Sequence, residues 1–142
     1  MMIQFDFNNP THLIFGSGSI AMLGRQKLPG KKALLLMSSG KSARVSGAYG
    51  KVTDQLRDAG VAWAEFAKIM ENPVKSIIME GAAFAKENRC DFIVALGGGA
   101  VLDASVAISA MAANPGDLWD YVHGGTGKGR PLVHPGLPIV TV

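Results

Sequence analysis

Hydrophobic and polar positions along the chain follow two periods, which predict strands that alternate with helices. Apolar runs at 33–37, 92–96 and 137–142 are typical of strands covered on both faces, and residues 61–66 form a further strand candidate. Apolar residues at helical spacing predict helices over 45–59, 74–87 and 100–113. This alternation indicates parallel βαβ units. The predicted fold class is therefore α/β, a Rossmann-like parallel sheet flanked by helices.

The N-terminal region predicts a separate pair of strands. Residues 3–7 alternate apolar and polar side chains, an Asn8-Asn9-Pro10 turn signal follows, and residues 11–15 suit a second strand. Residues 16–19 then lead into a short helix at about 20–26. We therefore expect an N-terminal strand pair in front of the parallel sheet.

Composition fits one globular domain of 142 residues. The chain is 48% hydrophobic and 18% charged, a balance that excludes a disordered protein. Its 14 basic and 11 acidic residues are scattered, so no nucleic-acid partner is expected. Residues 92–113 are apolar enough to suggest a membrane span, but consecutive glycines and Asp103 favour a strand, a turn and a helix. The single Cys90 and the lack of a signal-peptide pattern favour the cytoplasm.

The strongest chemical signal is the glycine-rich segment after the apolar run at 92–96. Gly97-Gly98-Gly99-Ala100 stands where a helix begins, so the backbone can approach a pyrophosphate and its N–H groups can donate to it. Asp103 falls in the expected first turn of that helix, where a carboxylate also complements the helix dipole. Three glycines exceed what a turn requires, so this segment predicts a phosphate-binding site.

Two other glycine-rich segments give weaker signals. Residues 16–21 match the relaxed dinucleotide pattern G-x-G-x-x-[GA], but the acidic residue expected about twenty positions later is missing. A tight structural turn explains them at least as well. Residues 122–129 fail the P-loop pattern, because Val122 takes the first glycine's place and Gly129 follows Lys128.

Ser39-Gly40-Lys41-Ser42 follows the first strand of the predicted βα series. A small residue there, with Lys41 and Arg44 nearby, leaves room and positive charge for a ribose 2′-phosphate. A solvated helix start explains the same residues equally well. The three histidines lack metal-ligand spacing and no nucleophile motif is present, so no catalytic or metal-binding residue is predicted.

Together these features resemble the iron-containing (group III) alcohol dehydrogenases, most closely the NADP-dependent butanol dehydrogenase type. The resemblance runs through nearly the whole chain. It is carried by residues 15–18, the Asn72-Pro73 pair, the glycine motif at 97–103, the Asn114-Pro115 pair, and residues 117–121 and 138–142. It implies that residues 1–142 are the family's N-terminal nucleotide-binding domain.

The resemblance also implies roles for the matching residues. Gly98, Gly99 and Ala100 would meet the pyrophosphate, Asp103 would serve the nicotinamide half, and Asn72-Pro73 would border the adenosine. Gly40 stands where NAD-preferring members carry Asp, which favours NADP(H) over NAD(H). Two departures are Ala100 in place of the usual Ser and Val106 in place of a frequent Lys.

In this family an all-helical C-terminal domain supplies one Asp and three His to iron or zinc, and the resemblance places that domain outside these 142 residues. The implied function is the NAD(P)-binding part of an oxidoreductase that moves hydride between NADP(H) and an alcohol or aldehyde. By itself the chain is expected to be inactive, and it could form a homo-oligomer. The alternatives are a non-catalytic dinucleotide-binding or assembly module, and a fragment of a glycerol dehydrogenase-like or dehydroquinate synthase-like enzyme.

Overall fold

The computed structural model describes residues 4–142 and contains a four-stranded parallel sheet. The strand order across the sheet is β2-β1-β3-β4, and all three pairings are parallel. This confirms the predicted α/β class. The strands are β1 Lys32–Ser38, β2 Ala62–Ile69, β3 Phe92–Leu96 and β4 Ile139–Thr141.

The helices fill the connections between the strands. The helix predicted over 45–59 is shortened to Ala48–Asp58, because Gly47, with a φ of 77°, has left-handed backbone and separates it from a short helix that ends at Val45. The helix predicted near residue 20 is a 3-10 helix, Ser19–Arg25. The α-helices are α1 Ser42–Val45, α2 Ala48–Asp58, α3 Lys75–Glu87, α4 Gly99–Ala113 and α5 Leu118–Tyr121.

The two faces of the sheet carry separate apolar cores, because successive strand side chains point to opposite sides. On one face, Leu34 and Ile93 pack with residues of α3 and α4. On the other face, Leu35 and Val94 pack with residues of α2 and the 3-10 helix. All four side chains are fully buried, so β1 and β3 are covered on both faces as their continuous apolar runs predicted.

Residues 4–15 form no strand, so the predicted N-terminal strand pair is not found in the described part of the chain. The expected strand over 3–7 begins at Ile3, which lies outside the described residues. The alternating apolar side chains have no surface to pack on: Phe5 is 82% exposed and Phe15 is 95% exposed. A two-stranded hairpin without such packing is marginal in water, which explains the difference.

Asn114 attaches α4 to the segment that leads into β4. Its Oδ1 accepts hydrogen bonds from the backbone N–H groups of Val133 and His134, both at 2.8 Å, and its Nδ2 donates to the carbonyl of His134 at 2.9 Å. The Ser109 hydroxyl donates to the Leu137 carbonyl at 2.7 Å. These bonds hold the incoming chain so that β4 pairs with β3.

None of the helices within residues 4–142 is long and apolar enough to span a bilayer. The apolar stretch at 92–113 divides into β3, a glycine turn and α4, as the sequence predicted.

Candidate functional site

The direction of strand succession reverses between β1 and β3. From β1 the chain passes through α2 to β2 on one side, and α3 then carries it across to β3 on the other side of β1. In open parallel sheets, ligands bind outside the carboxyl ends of the strands at such a switch point. The ends of β1 and β3 therefore mark the place where a ligand is expected.

A cleft of about 240 Å³ lies at this edge of the sheet. Its wall includes Ser38 from the end of β1, Met70 and Glu71 after β2, and residues 98–101 at the start of α4. Gly98, Gly99 and Ala100, predicted from the sequence, thus line the cleft together. Of the other predicted residues, Ser39, Gly40, Lys41 and Ser42 follow the wall residue Ser38, and Asn72 and Pro73 follow the wall residue Glu71; Gly97 and Asp103 are not in the wall.

Three backbone N–H groups at the start of α4 have no acceptor among the described residues. Within residues 4–142, the N–H groups of Gly98, Gly99 and Ala100 form no hydrogen bond, whereas those of Val101 and Leu102 donate to the carbonyl of Gly98 at 2.9 and 3.1 Å. The N-terminus of an α-helix also carries a partial positive charge. An anionic oxygen placed here would find three donors and a favourable dipole.

The glycines of this turn have two different structural roles. Gly97 has a φ of 159°, and a Cβ there would stand 2.7 Å from Cγ2 of Val101, so packing requires a glycine. A Cβ on Gly98 or Gly99 would meet nothing within 4 Å. Packing therefore does not explain these two glycines, whereas close approach of a phosphate to the backbone does. The residues present fit the pyrophosphate of a dinucleotide.

Asp103 lies farther from the start of α4 than the sequence predicted. Because α4 begins at Gly99, Asp103 is the fifth helical residue and lies beyond the first turn. Its side chain is exposed and accepts no hydrogen bond from the described residues. The helix-dipole interaction falls off within the first turn, so this explanation of Asp103 is weakened.

Arg44 is held by the protein on the α2 face of the sheet. Its guanidinium forms an ion pair with Glu65 of β2 and lies 4.0 Å from the centroid of the Tyr49 ring. Contacts with Tyr49 and Glu65 raise the pKa of Arg44. Lys41 is exposed, directly follows Gly40, and has no ion pair among the described residues. Of the two predicted cations near Gly40, Lys41 is thus the one left available to a ligand.

A second cavity, of about 500 Å³, lies between the 3-10 helix and α2. It is lined by residues 16 and 18–21 together with Lys51, Asp54 and Gln55. Although it is larger, its lining includes no strand residue and no residue of the predicted cofactor site. The geometry therefore favours the smaller cleft.

The described residues include no group of three or more His, Cys, Asp or Glu side chains arranged to hold a metal ion. Four cleft residues were not selected by sequence reasoning, namely Ser38, Met70, Glu71 and Val101, and among them Glu71 is the one with a charged side chain. It lies between β2 and the Asn72-Pro73 pair, in an irregular segment without periodicity. The signal in the sequence that could have identified Glu71 was its position as an acidic residue shortly after the end of a predicted strand.

Comparison with known proteins establishes the family. A family model described as iron-containing alcohol dehydrogenase matches residues 10–142. The probable NADH-dependent butanol dehydrogenase 1 of Bacillus subtilis (strain 168) is 41% identical over 99% of this chain and 35% of its own length. An NADPH-dependent aldehyde reductase of Escherichia coli (strain K12) is 33% identical over 82% of this chain and 30% of its own length.

The crystal structure of NADH-dependent butanol dehydrogenase A from Thermotoga maritima superposes with a TM-score of 0.88 and 32% identity. The match covers 97% of this chain and 34% of that one. The chain thus spans about a third of the length of the relatives it matches. The fold, the cleft at the switch point and the family match agree, and the chain belongs to the iron-containing alcohol dehydrogenase family.

Proposed function

We propose that this chain binds a nicotinamide dinucleotide and is the cofactor-binding part of an alcohol or aldehyde oxidoreductase. One observation carries the proposal: Gly98, Gly99 and Ala100 line a cleft at the topological switch point, and their backbone N–H groups have no hydrogen-bond partner within residues 4–142. Family membership supports the nicotinamide, since relatives are named as NADH-dependent and NADPH-dependent enzymes.

In this proposal the chain's residues fix and orient the cofactor. The three N–H groups and the dipole of α4 bind the pyrophosphate, while contact between Gly97 and Val101 holds the start of α4 against the end of β3. Asn72 and Pro73 border the adenosine, and Asp103 serves the nicotinamide half. The bound nicotinamide would supply hydride transfer to or from the carbon of an alcohol or aldehyde.

The metal ligands are proposed to lie outside residues 4–142. This follows from the lack of a metal-holding group in that range and from the limited share of the relatives that the chain covers. A metal in such an enzyme polarises the substrate oxygen as a Lewis acid. The chain alone is therefore expected to bind cofactor without turnover.

The proposed cofactor preference is NADP(H) over NAD(H). A Cβ on Gly40 would have only one neighbour within 4 Å, the Ser38 hydroxyl at 3.7 Å, so the segment leaves space beside the cleft. Lys41 adds a positive charge directly after it. The space at Gly40 and the positive charge of Lys41 would accommodate the 2′-phosphate of NADP(H). An acidic residue at this position would instead accept a hydrogen bond from the 2′-hydroxyl of NAD(H).

A second candidate function is a dinucleotide-binding module without catalysis of its own. The lack of a metal-holding group in residues 4–142 favours it equally. The two candidates share the cofactor site and differ in whether further protein completes an active site. Adding alcohol, NADP and iron or zinc to the chain should give no NADPH in either case, and measured turnover would contradict both.

The cofactor proposal is tested by titrating the 142-residue chain with NADPH and, separately, with NADH, while following nicotinamide fluorescence. We expect saturable binding at one site, with the lower Kd for NADPH. A lower Kd for NADH would contradict the cofactor preference alone. Absence of saturable binding for both would contradict the proposed function.

A further inference from the structure

Glu71 lies in the wall of the same cleft as Gly98 and Gly99. Its side chain is exposed, and its carboxylate forms no ion pair or hydrogen bond with the described part of the chain. Neighbouring acidic residues differ in this respect, since Glu65 pairs with Arg44 and Glu80 pairs with Lys68. The Glu71 carboxylate is thus free to interact with a molecule in the cleft.

The cleft therefore has two chemically opposite ends. The N–H groups of residues 98–100 can only donate hydrogen bonds, and the Glu71 carboxylate can only accept them. A ligand that suits both ends carries an anionic group and a hydroxyl group close together. A ribose attached to a phosphate has this arrangement, and the two ends face a common space of about 240 Å³.

Strand pairing brings Glu71 beside the position that usually recognises the ribose. In dinucleotide-binding folds, an acidic residue on the ribose 2′-hydroxyl follows the strand next to the glycine-rich one. Here that strand is β1, and Gly40 follows it without a carboxylate. The ends of β1 and β2 are joined, since Ser38 pairs with Ile69 and the N–H of Ser39 donates to the Ile69 carbonyl at 2.9 Å. Glu71 follows Ile69 by two residues.

We propose that Glu71 is a specificity-determining residue whose carboxylate accepts a hydrogen bond from the ribose 2′-hydroxyl of NAD(H) and repels the 2′-phosphate of NADP(H). This inference rests on the proposed function. Lys41 and Glu71 then act in opposite senses on the same group of the cofactor. The ratio of the affinities for NADH and NADPH then depends on the opposing effects of Lys41 and Glu71. A chain with Gly40 and Lys41 therefore still binds NADH.

The test uses Glu71→Gln, which keeps the shape of the side chain and removes its charge. Glu87→Gln is the matched control, because Glu87 is an exposed residue at the far end of α3. Kd values for NADPH and NADH are measured for the wild type and both variants. We expect Glu71→Gln to raise the ratio of the Kd for NADH to the Kd for NADPH by about tenfold, which means a stronger preference for NADPH. This change should be smaller at about 1 M salt, because salt screens the charge of Glu71 in the wild type.

Four results would overturn the inference. If Glu71→Gln binds both cofactors with the wild-type Kd values, Glu71 does not recognise the ribose, and the proposed function stands. If Glu71→Gln weakens the binding of both cofactors equally, the substitution acts through the structure of the cleft. If Glu87→Gln shifts the ratio of Kd values as much, the effect comes from the net charge of the chain and not from Glu71. If the wild type binds neither cofactor, the inference and the proposed function both fail.

Discussion

A Cβ atom on Gly97 would stand 2.7 Å from Cγ2 and 3.1 Å from Cβ of Val101. Val101 is only 2% exposed and belongs to the core between the sheet and helices α3 and α4, so it cannot move aside easily. The missing side chain of Gly97 therefore lets α4 begin close against the end of β3. This contact determines where the N–H groups of residues 98–100 point.

Replacing Gly97 with alanine should destabilise the fold. The added methyl group overlaps a buried side chain, and overpacking of this kind typically costs about 1–3 kcal/mol. Urea unfolding followed by circular dichroism measures the loss. The control is Gly98→Ala, which adds the same atom in open space at a φ of −83°. Equal stability of the two variants would contradict the packing role of Gly97.

Replacing Gly98 with valine should weaken cofactor binding without unfolding the chain. The backbone at Gly98 is extended, a conformation that valine adopts readily, and its Cβ meets nothing within 4 Å. The branched side chain would instead occupy the cleft and keep a phosphate from the N–H groups. We expect at least a tenfold rise in Kd, or about 1.4 kcal/mol, for both NADPH and NADH. Unchanged binding by a folded variant would place the cofactor elsewhere.

Asn114 should be among the more stabilising polar side chains of the chain. It is 1% exposed, and its carboxamide bonds Ala110, Val133 and His134. Asn114→Ala removes these hydrogen bonds, which are part-buried, and leaves the N–H groups of Val133 and His134 without this acceptor, at a cost of about 2–4 kcal/mol in the free energy of unfolding.

The control for this prediction is Asn88→Ala. Asn88 makes a single side-chain hydrogen bond, to the Phe84 carbonyl at 2.9 Å. Its loss should cost about 0.5–1.5 kcal/mol. A smaller effect of Asn114→Ala than of Asn88→Ala in the same denaturation assay would show that the segment before β4 is held by other contacts.

Asp120 should make the stability of the chain depend on pH at the acid end. Its Oδ1 accepts from Nζ of Lys128 at 2.6 Å and its Oδ2 accepts from the N–H of Asp117 at 3.2 Å. These bonds, in that order of importance, hold the pKa of Asp120 below its ordinary value. A carboxylate with a lowered pKa stabilises the fold above its unfolded-state pKa, and that contribution disappears as the pH falls through the lowered value.

The measurement compares wild type and Asp120→Asn in urea at pH 7 and at about pH 2. The variant should be less stable at pH 7, since it cannot pair with Lys128 as an anion. The difference should shrink at the lower pH, where the wild-type carboxyl takes up a proton. A difference that is constant across this range would mean that Asp120 acts through shape rather than charge.

Strong local patterns were enough to predict the elements that carry the site. The apolar run at 92–96 is β3, and the helix expected over 100–113 is α4 with one residue added at its start. β3 is buried at every position, which leaves a continuous apolar run in the sequence, whereas the buried residues of α4 recur at helical spacing. The glycine motif between them was predicted from composition, since three consecutive glycines at the start of a helix exceed what a turn requires.

Features that depend on distant contacts were not predictable in this way. The alternation around Phe5 and Phe15 is typical of strands, but nothing in the described chain covers those side chains. Arg44 was grouped with Lys41 by sequence position, whereas the fold turns it toward Glu65 and Tyr49. Glu71 enters the cleft only because β2 lies beside β1, and local sequence does not specify strand order.

The N–H groups of Gly98, Gly99 and Ala100 are proposed to bind the pyrophosphate of a dinucleotide. The most direct test of this proposal is a titration of the ¹⁵N-labelled chain with NADPH, followed by the amide resonances of each residue. These three amides should shift most and saturate together. Shifts confined to the cavity at Gly16, Gly18 and Lys51, with residues 98–100 unchanged, would contradict the proposal.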